Sequence, residues 1–352
     1  MSRELRKIGG RLRANRVFLV LPAHNESQGL QFTVSAFAGE AERLNKSGCL
    51  PRMAGIVIVD DGSTDATWHV IEDMQHVWTE KQGGIELHGL RLSRNFGKEP
   101  AILAGIERAY ELGADAVVIA DADLQHPPEV LGRLLEAFNA SGADVVEGVK
   151  RDRGRESVIY RLLAKTFYAL MTRLTGLDMR SASDYRLLSK RAMETLLAMP
   201  ERSVFFRGMS SWIGFKREKV EFDVRNRHAG TSTWSPFRLI GLAARAVTAY
   251  SSAPLRVVTF FGGVFMVFAA LMAAQTLWRY WAGEAVTGFA TVILLILITS
   301  SLLMLSLGII GEYLARIYDE VKQRPRYIVS DKVDVAFREQ CIQEEAGDRA
   351  HG

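Results

Sequence analysis

The sequence predicts a doubly wound α/β domain followed by a membrane domain of two helices. Three observations predict it. Short, β-branched-rich apolar runs alternate with helix-like stretches through the first third of the chain. Each of these runs is closed by a polar or acidic segment. Two long uncharged stretches lie late in the chain.

The strands come first. Residues 17–21 (Val-Phe-Leu-Val-Leu) end at Pro22, residues 55–59 (Gly-Ile-Val-Ile-Val) at Asp60-Asp61-Gly62, and residues 116–120 (Ala-Val-Val-Ile-Ala) at Asp121-Ala122-Asp123. None of the runs alternates polar and apolar residues, as expected of parallel strands buried on both faces. Helix-like stretches fill 27–46, 64–80 and 99–112, and the β-α-β-α-β order implies a doubly wound sheet. Such sheets bind ligands at the carboxyl ends of their strands, where the polar segments fall here.

The membrane helices come next. Val257–Trp278 and Ala285–Gly311 are runs of 22 and 27 residues without charge. A bilayer core takes about 20 apolar residues of helix, so each run can span once. Arg225, Arg227, Arg238, Arg245 and Arg256 precede the first run, and Arg316, Lys322, Arg324 and Arg326 follow the second. This excess of bases predicts that both ends face the cytoplasm.

The remaining segments divide around these parts. Residues 1–16 form a basic arm without an apolar stretch of signal-peptide type. The α/β domain runs over 17–235, with a basic segment at Lys150–Arg155 and an amphipathic helix near 157–175. A juxtamembrane amphipathic helix spans 236–256, the membrane domain 257–312, an interfacial segment 313–330, and a polar, disordered tail 331–352. Two distant cysteines, Cys49 and Cys341, give no disulfide framework or zinc spacing. The net charge of +4 is modest, and the bases hug the membrane, which argues against nucleic acid as a partner.

The polar segments carry the chemistry. In extended chain Asp121 and Asp123 lie on one side, where their mutual repulsion suits a divalent cation. A hard cation with few protein oxygens keeps positions for phosphate, which fits Mg2+ or Mn2+ on a diphosphate, with Gln125 as a further oxygen ligand. The plainer alternative is a helix cap with a solvated turn carboxylate before Pro127-Pro128. Asp60-Asp61-Gly62-Ser63-Thr64-Asp65 reads either as a capped turn or as a pocket whose carboxylates accept bonds from a base or ribose. Pro22-Ala23-His24-Asn25-Glu26 closes the first strand. In Leu92-Ser93-Arg94-Asn95-Phe96-Gly97-Lys98-Glu99, Arg94 and Lys98 can neutralise phosphates, although a solvated loop would look the same.

These segments, in this order, resemble the GT-A-fold inverting glycosyltransferases of family 2, of the dolichol-phosphate mannose synthase and bacterial polyprenyl-phosphate glucosyltransferase type. The likeness continues through Ser183-Asp184-Tyr185-Arg186, Phe206-Arg207-Gly208, Arg227-His228-Ala229-Gly230 and Gly311-Glu312-Tyr313-Leu314-Ala315-Arg316, covering about 17–328. The resemblance implies a metal-dependent hexosyltransferase that moves sugar from a nucleotide sugar, UDP-linked by preference, to a polyprenyl phosphate. It implies a multi-pass enzyme of a bacterial inner membrane with its catalytic domain in the cytoplasm. Pro22, Glu26, Asp60, Asp61, Lys98 and Ala122 would bind nucleotide, and Asp121, Asp123 and Gln125 the metal. Asp184 matches the residue assigned as catalytic base, and Arg207 an arginine near the reacting phosphates. Arg151, Arg161 and Arg227 fall where acceptor-phosphate arginines occur.

Two departures stand out. His24 replaces a common tyrosine, and Gly230-Thr231-Ser232-Thr233-Trp234 lacks the family's lysine. A monophosphate ester has a second pKa of about 6 and is mostly ionised at neutral pH, so Asp184 is expected to position rather than deprotonate. Two alternatives share the nucleotide domain: a processive polysaccharide synthase and a non-catalytic membrane scaffold. Two spans make a poor polymer channel, and a scaffold needs none of the three aspartates. The tyrosines of 313–327 offer a contact for a homo-oligomer.

Overall fold

The computed structural model describes residues 16–48, 51–78, 84–150, 182–202, 204–223, 251–283 and 288–335. The elements are β1 (Arg16–Ala23), α1 (Leu30–Lys46), β2 (Arg52–Asp60), α2 (Thr67–Val77), β3 (Glu86–Leu92), α3 (Lys98–Glu111), β4 (Ala116–Ile119), α4 (Val130–Ser141) and β5 (Val145–Lys150). After them come β6 (Ala182–Ser189), α5 (Lys190–Ala198), α6 (Phe206–Trp212), β7 (Arg217–Phe222), α7 (Ala253–Trp281), α8 (Phe289–Val321) and β8 (Val329–Val335).

One sheet in the order β7-β5-β6-β4-β1-β2-β3-β8 organises the domain. β1 runs parallel to both β2 and β4, and β2 parallel to β3. The chain therefore moves outward from β1 through β2 to β3, then crosses to the other side of β1 as β4. That reversal opens a crevice at the carboxyl ends of β1 and β4. β6 is antiparallel to β4 and β5, and β8 is antiparallel to β3.

The non-alternating runs have a direct cause. Val17, Leu19 and Leu21 of β1 enter one apolar cluster with α1, α2 and α4. Phe18 and Val20 enter a second with α3, α5 and α6. Both faces are dry, so every position is apolar. Gly105 brings α3 close to β1, since a Cβ there would stand 2.3 Å from Val20 Cγ1.

Among the described residues two helices are long and apolar enough to cross a membrane, Ala253–Trp281 and Val292–Val321. No residue of α7 is buried within the chain, unlike the helices of a soluble core. With 33 residues α8 is about 50 Å long, well beyond a hydrocarbon core.

Three expectations change. The single helix expected over 236–256 is not what residues 251–256 form, because Ser251 and Ser252 are non-helical and α7 starts at Ala253. Pro254 sits in the first turn of α7, where its missing N–H costs nothing. The segment from 313 is not separate from the second span, since α8 continues to Val321. Residues 331–335 are not tail but the end of β8, which covers the edge of β3. Exposed Asp331 and Lys332 hide a strand that is anchored by buried Val333 and by Asp334, whose carboxylate accepts from buried His88 and from Arg108. The arm at 1–15, the basic segment from 151, the helix near 157–175, most of 236–256 and the tail from 336 lie outside the described residues.

Candidate active site

The crevice holds a cleft of about 340 Å³. Its walls come from four strand ends: Pro22 and Ala23 closing β1 with His24 and Glu26 beyond it, Asp61 after β2, Asn95, Gly97 and Lys98 after β3, and Asp121, Ala122 and Asp123 after β4.

Local bonding fixes each wall. Gly62 has φ +60°, and a Cβ there would lie 2.2 Å from the carbonyl carbon of Arg94. A glycine thus lets the loop after β3 press onto the end of β2. The loop then donates two backbone bonds to Asp61, from Phe96 N–H to Oδ1 at 2.7 Å and from Gly97 N–H to Oδ2 at 2.9 Å. Burial raises the Asp61 pKa, and those two N–H groups pull the other way. His24 Nδ1 donates to the Asp61 carbonyl at 3.0 Å, which leaves Nε2 to accept from Asn95 Nδ2 at 3.0 Å. The backbone N–H of Glu26 donates to Thr67 Oγ1 at 2.9 Å, tying β1 to the start of α2. Asp65 accepts from Ser27 and Thr67, and these bonds outweigh its desolvation and bring its pKa down to about 2.

Beyond the end of β4 lies a chain of alternating charges. Lys98 Nζ is 2.6 Å from Asp121 Oδ1 and 2.7 Å from Asp184 Oδ2. Arg207 grips the same Asp184, Nε to Oδ1 at 2.6 Å and Nη2 to Oδ2 at 3.0 Å. The order is therefore Arg207, Asp184, Lys98, Asp121. Asp184 is only 10% exposed at its side chain, whereas Lys98 and Arg207 are 43% and 38% exposed. The cations present their open sides to solvent and the carboxylate lies behind them. Burial alone would raise Asp184, but Lys98 and Arg207 outweigh it and hold the carboxyl far below the usual range. Burial would likewise lower Lys98, but Asp121 and Asp184 raise it. Asp121 is also lowered against its burial, chiefly by the charge of Lys98.

Three residues outside the sequence-predicted set shape this chain. The Asp121 N–H donates to His126 Nδ1 at 2.9 Å, so Nε2 carries the proton and lies 3.9 Å from Asp121 Oδ2. Tyr185 stacks on that ring at 4.8 Å. Glu99 is pushed up to about 7, first by burial and then by the charge of Asp184. An acid in a helix's first turn reads as a dipole partner, which concealed it in the sequence.

Most of the sequence-predicted site residues come together. Pro22, Glu26, Asp61, Lys98, Asp121, Ala122 and Asp123 share the cleft, and Asp184 and Arg207 join it through Lys98. Asp60 is not on the wall: its side chain is fully buried, Oδ1 accepts from the Ser63 N–H at 2.9 Å, and Arg91 Nε lies 3.7 Å from Oδ2. Gln125 does not line the cleft either; its backbone N–H donates to Asp123 Oδ1 at 3.0 Å. Arg151, Arg161 and Arg227 lie outside the described residues. No three His, Cys, Asp or Glu side chains gather as a metal site among the described residues. Two carboxylates facing a cleft remain, which suits a hard cation that takes its other ligands from phosphate and water.

Known proteins share this outline. The model of glycosyl transferase family 2 matches residues 18–197. The bactoprenol glucosyl transferase of Shigella phage SfX is 33% identical over 322 residues, 90% of this chain and 99% of its own. A prophage bactoprenol glucosyl transferase homolog of Escherichia coli K12 is 33% identical over 89% of this chain and 98% of its own. An uncharacterized glycosyltransferase of Synechocystis sp. is 33% identical over 89% and 94%. Among solved structures, glucosyl-3-phosphoglycerate synthase of Mycobacterium tuberculosis aligns over 67% of this chain and 78% of its own, at 20% identity and TM-score 0.43, too slight a likeness to transfer a ligand.

Proposed function

The chain belongs to glycosyl transferase family 2, and from that premise we propose that it transfers a sugar from a nucleotide sugar to a polyprenyl phosphate. In this reading the donor is a UDP-sugar and the reaction runs at the cytoplasmic face of a bacterial inner membrane. The relatives named for bactoprenol match almost end to end, through both candidate spans. A polyprenyl chain leaves the bilayer only at about 0.8 kcal/mol per CH2, so the enzyme must hold its cleft at the membrane surface.

The observation that carries the proposal is the charge chain. Lys98 and Arg207 face solvent from a carboxylate support, as groups that receive phosphates do. Pro22, Glu26 and Asp61 form the nucleotide side of the cleft, with Ala122 between it and the diphosphate. Asp60 contributes from beneath, by holding the turn at Ser63. Asp121 and Asp123 are the residues to hold Mg2+ or Mn2+, Asp121 sharing its charge with Lys98, and Gln125 is assigned there by resemblance alone. Such an ion, when bound, offsets the charge that grows on the leaving diphosphate. Arg151, Arg161 and Arg227 are assigned to the acceptor phosphate by resemblance alone.

A phosphate oxygen of the acceptor attacks the anomeric carbon. The bond to the diphosphate breaks, and its electron pair leaves with the nucleotide, inverting the carbon. The nucleophile is already ionised at neutral pH, with a second pKa of about 6. Asp184 is held anionic by Lys98 and Arg207, so it is a weak base in this arrangement. Its part is to orient the two cations.

The test uses full-length protein in nanodiscs with and without undecaprenyl phosphate, offered UDP-glucose, UDP-galactose, UDP-N-acetylglucosamine and GDP-mannose in turn. The expected result is release of nucleoside diphosphate from a UDP-sugar only when both the lipid phosphate and Mg2+ or Mn2+ are present. Release that ignores the lipid, or no release with any donor, overturns the proposal.

A further inference from the structure

The peptide bond between Glu201 and Arg202 is held from both edges by the segment that leaves the membrane. The Arg202 N–H donates to both carboxylate oxygens of Glu320, at 2.9 Å and 3.0 Å. The Glu201 carbonyl accepts from Arg326 Nε at 2.9 Å. A trans peptide points its N–H and C=O in opposite directions, so one acid and one base grip one planar unit from opposite sides. Both side chains come from the end of α8 and the residues just after it.

The link from this peptide to the active site is short. The Arg202 carbonyl accepts from the Val204 N–H at 3.1 Å, the Phe205 carbonyl from the Met209 N–H at 2.9 Å, and α6 begins at Phe206. Phe206 is fully buried in the core, and the next residue is Arg207, bonded to Asp184. Only a few residues separate the clamped peptide from the start of α6.

We infer that Glu320 and Arg326 are positioning residues: by clamping the 201–202 peptide they let the second membrane helix set the place of Arg207 in the active site. The inference rests on the reading of Arg207 as a phosphate-facing group. It gives α8 a part in catalysis beyond anchorage, because a helix fixed in the bilayer then fixes a cation in the cleft. Glu320 acts through backbone, so Glu320→Gln, which keeps one acceptor oxygen, preserves most of the effect, and Glu320→Ala removes it.

The experiment has two readouts on full-length protein in nanodiscs. In ¹⁵N-arginine-labelled protein the Arg207 Nε–H signal, identified by its loss in Arg207→Lys, reports the bond to Asp184 without any substrate. Glu320→Ala is expected to shift or broaden that signal and Glu320→Gln to restore it. An unmoved signal in Glu320→Ala overturns the inference, and if that variant does not fold, Arg326→Ala against Arg326→Lys is read the same way. The second readout is turnover of UDP-glucose with undecaprenyl phosphate. Glu320→Ala is expected to lower kcat about tenfold while leaving the donor KM within about twofold, and to have no further effect in an Arg207→Ala background. Additive losses in the double variant overturn the inference, whereas an Arg207→Ala single variant with full activity overturns the reading of Arg207 instead.

Discussion

Arg207 and Asp184 are joined by two parallel hydrogen bonds, of 2.6 Å and 3.0 Å, from separate elements 23 residues apart. The second partner of Asp184, Lys98, comes from 86 residues away on α3. Three elements thus meet on one carboxylate, and its charge state is set by them.

Asp184→Asn keeps the shape and loses the charge. Its kcat is expected to fall about 10- to 100-fold, because Lys98 and Arg207 lose their common anchor. The residual rate rises from pH 6 to pH 8 as the acceptor phosphate ionises, with its second pKa of about 6. Rates of Asp184→Asn and Asp123→Asn measured across pH 6–9 check this. An essential base would instead leave Asp184→Asn as inactive as Asp123→Asn at every pH.

Lys98→Met removes the cation between Asp121 and Asp184. The two carboxylates then repel across the gap, and one of them takes up a proton at higher pH. A loss of about 10²–10³ in kcat/KM is expected. Lys98→Arg recovers part of it, since a guanidinium spans two carboxylates. Equal losses in the two variants would show that the amine itself, rather than its charge, is required.

How much of this was legible in the sequence depends on the range of each interaction. β1, β2 and β4 were readable because both their faces are buried and their central residues are apolar. β8 was not, because at a sheet edge Asp331 and Lys332 are exposed as they would be in a tail, and Asp334 meets its partners His88 and Arg108 only in the fold. The aspartates at the ends of β2 and β4 were visible as motifs, yet Asp60 and Asp61 look alike in sequence. In the fold Asp61 lines the cleft and is held by the loop that packs over Gly62, whereas Asp60 is buried beneath it and bonds the turn at Ser63. Glu99 went unread because its pKa is raised by burial and then by the charge of distant Asp184, neither of which a local pattern announces.

Glu99 makes stability depend on pH with a definite sign. Its pKa is raised in the folded protein to about 7, against an ordinary value of 4.5. The folded state therefore binds the proton more tightly, and stability falls as pH rises from about 4.5 to about 7, then levels off. Glu99→Gln removes that slope. Thermal unfolding of wild type and Glu99→Gln between pH 5 and 8 tests it; parallel curves for the two proteins would refute it.

Gly62→Ala is expected to be severe. It places a Cβ within 2.2 Å of the Arg94 backbone at a φ of +60°. The loop must lift, and Asp61 loses the N–H groups of Phe96 and Gly97. A drop of about 2 kcal/mol or more in stability accompanies weaker nucleotide binding. Calorimetric titration with UDP measures the second effect, and wild-type affinity in Gly62→Ala would mean that the loop does not shape the nucleotide side.

Sugar transfer with inversion onto a lipid phosphate is read most directly from product stereochemistry. Protein in nanodiscs with undecaprenyl phosphate is given α-linked UDP-[¹³C]glucose and Mn2+, and the lipid extract is examined by NMR. The expected product is a β-linked glucosyl phosphate on the lipid, formed in equal amount to the UDP released. Label that stays in the aqueous phase as free glucose, or an α-linked lipid product, would contradict it.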